Sequence, residues 1–180
     1  MPSPADGAAT LLGIFAEAVG AGLDTVLLLG RLQDAQKAMV YALARMAEFR
    51  DADTGRHVHR VEQLVRAIAL RLRDVDEFAC LRDDHYLEQL TLASILHDVG
   101  KVGVPDAVLN KPGALDPAEQ GLMHEHAAIG AQILEDAARM VPGMSYISLA
   151  AEIAANHHES ADGSGYPRRK TLDQIPLSAR

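Results

Sequence analysis

The sequence predicts an all-α bundle with functional loops and an N-terminal helical extension, and three observations carry that expectation. Of 180 residues, 48% are hydrophobic, but only 4% are aromatic and Trp is absent. Such a core must be built from Ala, Leu, Val and Ile, a diet that favours helices over sheets. Apolar residues also recur at spacings of three and four, one face of a 3.6-residue period. Gly and Pro, finally, gather in a few short stretches that separate the periodic ones. The length suits one domain plus an extension, with roughly 70% of the unfolded surface buried and no staple required.

Taken in order, residues 1–35 read as an apolar helical extension or linker, and 36–180 as the domain. Residues 8–29 form an apolar helix, with a break expected at Gly20-Ala21-Gly22. Val26-Leu27-Leu28-Leu29 is too short a run to be assigned to helix or strand. Met1 to Thr10 has no Lys or Arg, Glu17 and Asp24 interrupt the run that follows, and no stretch is expected to reach the roughly 18 apolar residues of a spanning helix. The expectation is a cytoplasmic protein without membrane association, its extension packing on the domain or pairing two copies into a homodimer. Arg31 to about Phe49 is a helix of strong formers, closed by the acidic turn Arg50 to Gly55. A second helix runs to about Arg73, with Val58, Val61, Val65, Ile68 and Leu72 on one face. A third covers about Tyr86 to Val99, and Gly100 to Ala114 is a loop with turns. Asp116-Pro117-Ala118-Glu119 starts a helix: a capping Asp, Pro at the first helical position and Glu three on from the cap. That helix should reach Met140 and bury Leu122, His126, Ile129 and Ile133. A last helix spans about Ile147 to His158, and an irregular tail begins at Asp162.

The single cysteine, Cys80, rules out a disulfide framework or a Cys-rich zinc module. A net charge of −8 argues against a general nucleic-acid binder such as a DNA-binding protein. It leaves a small anionic substrate open, because a local metal cluster outweighs a diffuse negative field. The eight histidines are the informative residues. His59, His85 and His124 are expected to be merely satisfied or solvated side chains; His124 stands roughly 200° round its helix from His126 and so faces solvent. His57, His97, His126, His157 and His158, with Asp98, fall at the inner edges or ends of different helices. Burying that many imidazoles is costly unless each is partnered, and a shared metal cluster partners all of them. Nitrogen and carboxylate donors without thiolate suit Fe, Mn or Zn rather than Ca or Mg. Lys101, three residues from Asp98, falls on the same side if the helix persists or tightens there; otherwise it is a solvated helix-end cation.

These residues resemble an HD-GYP domain, the bacterial branch of the HD phosphohydrolases that hydrolyse cyclic di-GMP. The resemblance rests on Arg50-Asp51 with Thr54-Gly55, His57 and Arg60; on His97-Asp98-Val99-Gly100-Lys101 with Pro105; and on Lys111-Pro112-Gly113, Glu119, His126 and Gly130. Its last block is His157-His158-Glu159 with Asp162-Gly163-Ser164-Gly165-Tyr166-Pro167. It implies an HD-domain helical bundle and metal ligands at His57, His97, Asp98, His126, His157 and His158. Asp98 would bridge two divalent metals, iron or manganese, and Lys101 would meet a substrate phosphate. Asp53 stands where some members carry a Glu that holds a third metal, and reads equally well as a helix cap. The metals would hold a bridging hydroxide for in-line attack on phosphorus, opening cyclic di-GMP to the linear dinucleotide or to GMP.

The Asp162 to Pro167 loop would face substrate or a partner: Gly163 and Gly165 permit φ > 0 and close approach, and Tyr166 can stack or hydrogen bond. Lys111, Arg168, Arg169 and Lys170 are candidates to attract the anion. The family's final metal-ligand Asp lies on a helix beyond this block, where the sequence stops at Arg180; Asp173 is a poor substitute, and the chain reads as C-terminally truncated. Two other readings stand beside hydrolysis of cyclic di-GMP. One is hydrolysis of another cyclic dinucleotide; the other is a non-catalytic module docking on a diguanylate cyclase domain or a second copy.

Overall fold

The structure, a computed structural model, describes residues 4–49 and 57–180. Arg50 to Gly55, Asp53 included, lies outside the described residues. The described residues hold six α-helices, several 3₁₀ turns and no strand, only an isolated bridge between Asp162 and Thr171. The all-α expectation holds. The chain divides into two compact units, residues 1–39 and 40–180.

Helix α1 runs without interruption over Pro4–Glu48. The break expected at Gly20 to Gly22 does not occur. Each Gly costs a helix only about 1 kcal/mol relative to Ala, and the Ala- and Leu-rich flanks outweigh two of them. The run from Val26 to Leu29 is therefore helical. Leu11–Glu48 is also long and apolar enough, by length and composition, to cross a membrane, with a mean hydropathy of 1.7 in its best window. Two isolated acids do not break such a span, so the expectation that none existed is corrected. Leu11, Phe15, Val26 and Leu32 are among its many exposed apolar side chains.

In the unit 40–180, α2 covers His57–Leu72, α3 Asp84–Ser94, α4 Asp106–Leu109, α5 Pro117–Met140 and α6 Ser145–Asn156. The third helix thus ends at Ser94, earlier than expected, and the chain tightens into a 3₁₀ turn over Val99–Gly103. The capping box at α5 forms as anticipated: the Asp116 carboxylate accepts from the Ala118 and Glu119 N–H groups, both at 2.9 Å, and Glu119 Oε2 accepts from Asp116 N–H at 2.8 Å. The core gathers Val40 and Ala44 of α1, Val58 and Ala69 of α2, Leu87, Leu90 and Ala93 of α3, Leu134 of α5, and Ala150, Ile153 and Ala154 of α6.

The buried face of α5 differs from the expected one. Leu122 and Ile133 are exposed and Ile129 only half-buried, whereas His126, Ala127, Gly130, Ala131 and Leu134 are buried. Small residues face inward because α5 packs closely on the Val99–Gly103 turn and on α6. A Cβ on Gly100 would stand 1.9 Å from the His126 carbonyl oxygen and 2.4 Å from the Gly130 nitrogen. Only glycine permits this approach, and the approach sets Asp98 against His126.

Candidate metal centre

The site is assembled from helix ends. His57 opens α2, His97 and Asp98 follow α3, His126 lies within α5, and His157 and His158 close α6. Asp98 is buried, and its two oxygens face different neighbours. Oδ1 lies 3.3 Å from His126 Nε2 and 3.5 Å from His157 Nε2. Oδ2 lies 3.2 Å from His97 Nε2 and 2.9 Å from Lys101 Nζ. Two sets of donor atoms result, each within 4.8 Å: Asp98, His126, His157 and His158 in one, and His57, His97 and Asp98 in the other. Asp98 belongs to both. The structure therefore brings together the five histidines and the aspartate that the sequence singled out, and Lys101 with them.

Backbone carbonyls orient three of the rings. His97 Nδ1 bonds Ser94 O at 2.9 Å, His126 Nδ1 bonds Met123 O at 2.7 Å and His157 Nδ1 bonds Ala154 O at 3.0 Å. A carbonyl only accepts, so each Nδ1 carries a proton and each ring turns its Nε2 inward, toward Asp98. His126 Nε2 and His157 Nε2 stand 3.2 Å apart beside Asp98 Oδ1. Two ring nitrogens and a carboxylate oxygen converge there. A cation satisfies all three, and the donor set fits a divalent metal with its ligand imidazoles already oriented.

The electrostatics agree. Burial alone would raise the Asp98 carboxyl, but hydrogen bonding to His126, His157 and His97 reverses that and holds it well below the usual carboxylate range. For His97, burial lowers the imidazole and the bond to Asp98 prevails, leaving it raised. His158 is pushed down to about 3, first by burial and then by the neighbouring His157 and His126. A neutral ring is the form that ligates metal.

A cavity of about 290 Å³ opens on the centre, lined by Glu48, His57, His97, Asp98, Lys101, His157 and His158. The Asp162 to Pro167 loop meets the cavity wall at His158 without lining the cavity itself. Gly163 adopts φ 77° and Gly165 the close approach, where a Cβ would meet Ser160 N at 2.3 Å. Tyr166 stacks on His158 with ring centroids 4.4 Å apart and on His124 at 3.6 Å, and burial pushes its hydroxyl up to about 12. His124 is thus half-buried in a stack, where solvation was expected; the covering ring comes from a distant loop. Glu159 clamps that loop, accepting from Arg168 N–H at 2.7 Å and Lys170 N–H at 2.8 Å. Asp162 faces its own turn, accepting from the Ser164 N–H at 3.0 Å and hydroxyl at 2.6 Å.

Other named residues lie elsewhere. Lys111 is bonded to Glu119 at the α5 cap, 2.5 Å away, and does not line the cavity. Arg168 and Lys170 line a separate cleft beside Glu152 and Asn156. Asp173 is exposed and belongs to neither donor set. Sequence reasoning missed Glu48, which stands on the cavity wall. Its signal was available, since Val40, Ala44 and Glu48 follow one another at intervals of four on the buried stripe of α1.

An all-α domain whose helix ends converge imidazoles on one shared carboxylate is a histidine–aspartate metal-binding domain. The chain belongs to the HD domain family, whose pattern its residues 41–180 match. HD domains bind divalent metals, and the two donor sets are able to hold them. Among curated relatives, the chain is 43% identical over 152 residues (84% of the chain) to a probable cyclic di-GMP phosphodiesterase of Vibrio cholerae serotype O1. It is 38% identical over 174 residues (94% of the chain) to a 3'3'-cGAMP-specific phosphodiesterase 2 of the same organism. A cyclic di-GMP phosphodiesterase of Thermotoga maritima is 39% identical over 136 residues, 76% of the chain. The chain spans about a third of the length of these relatives, 34%, 30% and 33% respectively.

Proposed function

We propose that residues 36–180 act as a metal-dependent HD-GYP phosphodiesterase that opens cyclic di-GMP to its linear dinucleotide or to GMP. The observation that carries this reading is the division of Asp98, with one oxygen turned to His126 and His157 and the other to His97. That is the arrangement a carboxylate needs to bridge two cations. Iron or manganese suits the nitrogen and carboxylate donors; when bound, such cations lower the pKa of water and neutralise charge at a phosphoryl group.

The chain's own residues supply the rest. His57 and His97 hold one side of the centre, and His126, His157 and His158 the other. Lys101, already 2.9 Å from Asp98, turns its ammonium to a non-bridging phosphate oxygen as substrate enters. Tyr166, braced between His124 and His158, and the Gly163 and Gly165 backbone form the wall against which a base or ribose rests. Asp53 is proposed as an additional ligand at the His57 end. Lys111, paired with Glu119 and off the cavity wall, takes no part in this reading.

A specific observation favours a second substrate: the relative that covers 94% of the chain is named for 3'3'-cGAMP. A chromatographic assay of both cyclic dinucleotides with the iron- or manganese-loaded chain decides. Opening of cyclic di-GMP in preference to 3'3'-cGAMP is expected, and the reverse preference moves the assignment to the mixed dinucleotide. Absence of turnover with both cations bound overturns the enzymatic reading in favour of a module that docks on a diguanylate cyclase domain.

The proposed setting is the cytoplasm, with the exposed apolar residues of α1 covered by a second copy. A dimer in detergent-free buffer supports this; recovery of the chain only from the membrane fraction contradicts it, because α1 is long enough to span.

A further inference from the structure

Glu48 stands out within the cavity. It lies at the end of α1, is 6% exposed, and neither carboxylate oxygen has a hydrogen-bond partner. Among the described residues these are the only buried side-chain oxygens or nitrogens so placed. An unpartnered buried carboxylate is costly. Protonation does not remove the cost, since the carboxylic acid would then be a buried donor facing no acceptor. Burial, the larger influence, does raise its pKa, with the nearby His57 and His97 acting the other way. What Glu48 faces is the cavity shared with His57, His97, Asp98 and Lys101, and His57 Nε2 stands 3.9 Å from its Oε1. Two ligands held about 2.1 Å from one cation are separated by about 2.9 to 4.2 Å, depending on the angle between them. The 3.9 Å to His57 falls inside that range; Glu48 stands outside the set of His57, His97 and Asp98 atoms that lie within 4.8 Å of one another, so its carboxylate has to turn further into the cavity to share their cation.

We propose that Glu48 is a carboxylate ligand of the cation held by His57, His97 and Asp98, giving that side of the centre a second negative donor. The set with His126, His157 and His158 has three imidazoles and the Asp98 carboxylate; the other has two imidazoles and Asp98. Among the described residues, Glu48 brings the smaller set to four protein ligands. It also balances charge, because Lys101 occupies the same side of Asp98 and would otherwise repel a cation there. The inference rests on the metal-centre reading but not on the identity of the substrate.

The test is manganese binding to the metal-free full chain, followed calorimetrically without nucleotide, with thermal unfolding of the same samples. The wild type is expected to bind two equivalents. Glu48→Gln, which keeps the shape and removes the charge, should bind the first unchanged and weaken the second by about 10- to 100-fold. Its metal-free melting temperature should be no lower than wild type, because a buried unpartnered charge has gone. Glu48→Asp, one methylene shorter, should recover part of the second affinity. Two unaltered equivalents in Glu48→Gln would overturn the proposal. So would parallel loss of both equivalents with a fall in metal-free stability, which marks a structural role, or fewer than two equivalents in the wild type. A wild type that binds two equivalents but cleaves no cyclic dinucleotide would refute the phosphodiesterase reading and leave the role of Glu48 standing.

Discussion

Adding one methyl group at position 100 should dismantle the centre without touching a ligand. The Cβ of Gly100→Ala would stand 1.9 Å from the His126 carbonyl oxygen and 2.4 Å from the Gly130 nitrogen. Both obstacles are backbone atoms of α5, so neither can swing aside as a flexible side chain would. Overpacking costs typically 1–3 kcal/mol, and an encounter with a rigid helix backbone belongs at the upper end, about 3 kcal/mol. For a unit of this size each kcal/mol lowers Tm by about 2–4 °C, so a fall of about 6–12 °C is expected. The turn must also lift from α5, carrying Asp98 away from His126, so metal affinity should fall with stability. All four tyrosines, Tyr41, Tyr86, Tyr146 and Tyr166, lie in the unit 40–180. The tyrosine band of the near-ultraviolet circular dichroism spectrum, clear of the Phe15 absorption, therefore reports that unit alone during a melt. Gly121→Ala serves as the control: on the same helix, with nothing within 4 Å of its Cβ, it should be neutral or stabilising by up to about 1 kcal/mol. A Gly100→Ala chain that melts within about 2 °C of wild type and binds metal normally would refute the packing argument.

His97→Ala or Asp98→Ala should abolish turnover of cyclic dinucleotide while far-ultraviolet circular dichroism retains the wild-type helicity, since both residues lie outside the α-helices. Tyr166→Ala should lower stability by about 1–3 kcal/mol through loss of two ring stacks. Tyr166→Phe should retain nearly all of it, measured by urea denaturation. The metal-free chain should lose stability as pH falls from about 6.5 toward 3. His158 takes up a proton there when unfolded but stays neutral when folded, its pKa held at about 3, and a state that binds fewer protons is disfavoured as pH drops. His158→Gln should flatten that part of the profile in denaturant melts at stepped pH.

Local chemistry was the part of the fold legible in the sequence. The α5 capping box needs only Asp116 and Glu119 at the right spacing, and it formed. The histidine–aspartate set was legible because costly imidazoles recur at helix edges, and the structure gathers them round Asp98. Judgements that depended on non-local packing failed. The inward face of α5 was assigned from its large residues, but the approach of the Gly100 turn selects Ala127, Gly130 and Ala131 for that face and leaves Leu122 and Ile133 outside. His124 looked solvated on its own helix, yet a loop some forty residues further along lays Tyr166 on it. Gly20 and Gly22 looked like a break because glycine often ends helices, but here the flanks carry the helix through. Glu48 fell between these cases: its place on the buried stripe was readable, but its purpose depended on the cavity it faces.

The central claim is that Asp98 is shared between two cations. Crystals of the chain grown with manganese, with diffraction recorded at the metal absorption edge, test it directly. Two anomalous peaks about 3.5–4 Å apart, one on each side of the Asp98 carboxylate, are expected. A single peak, or peaks that leave Asp98 uncoordinated, would contradict it.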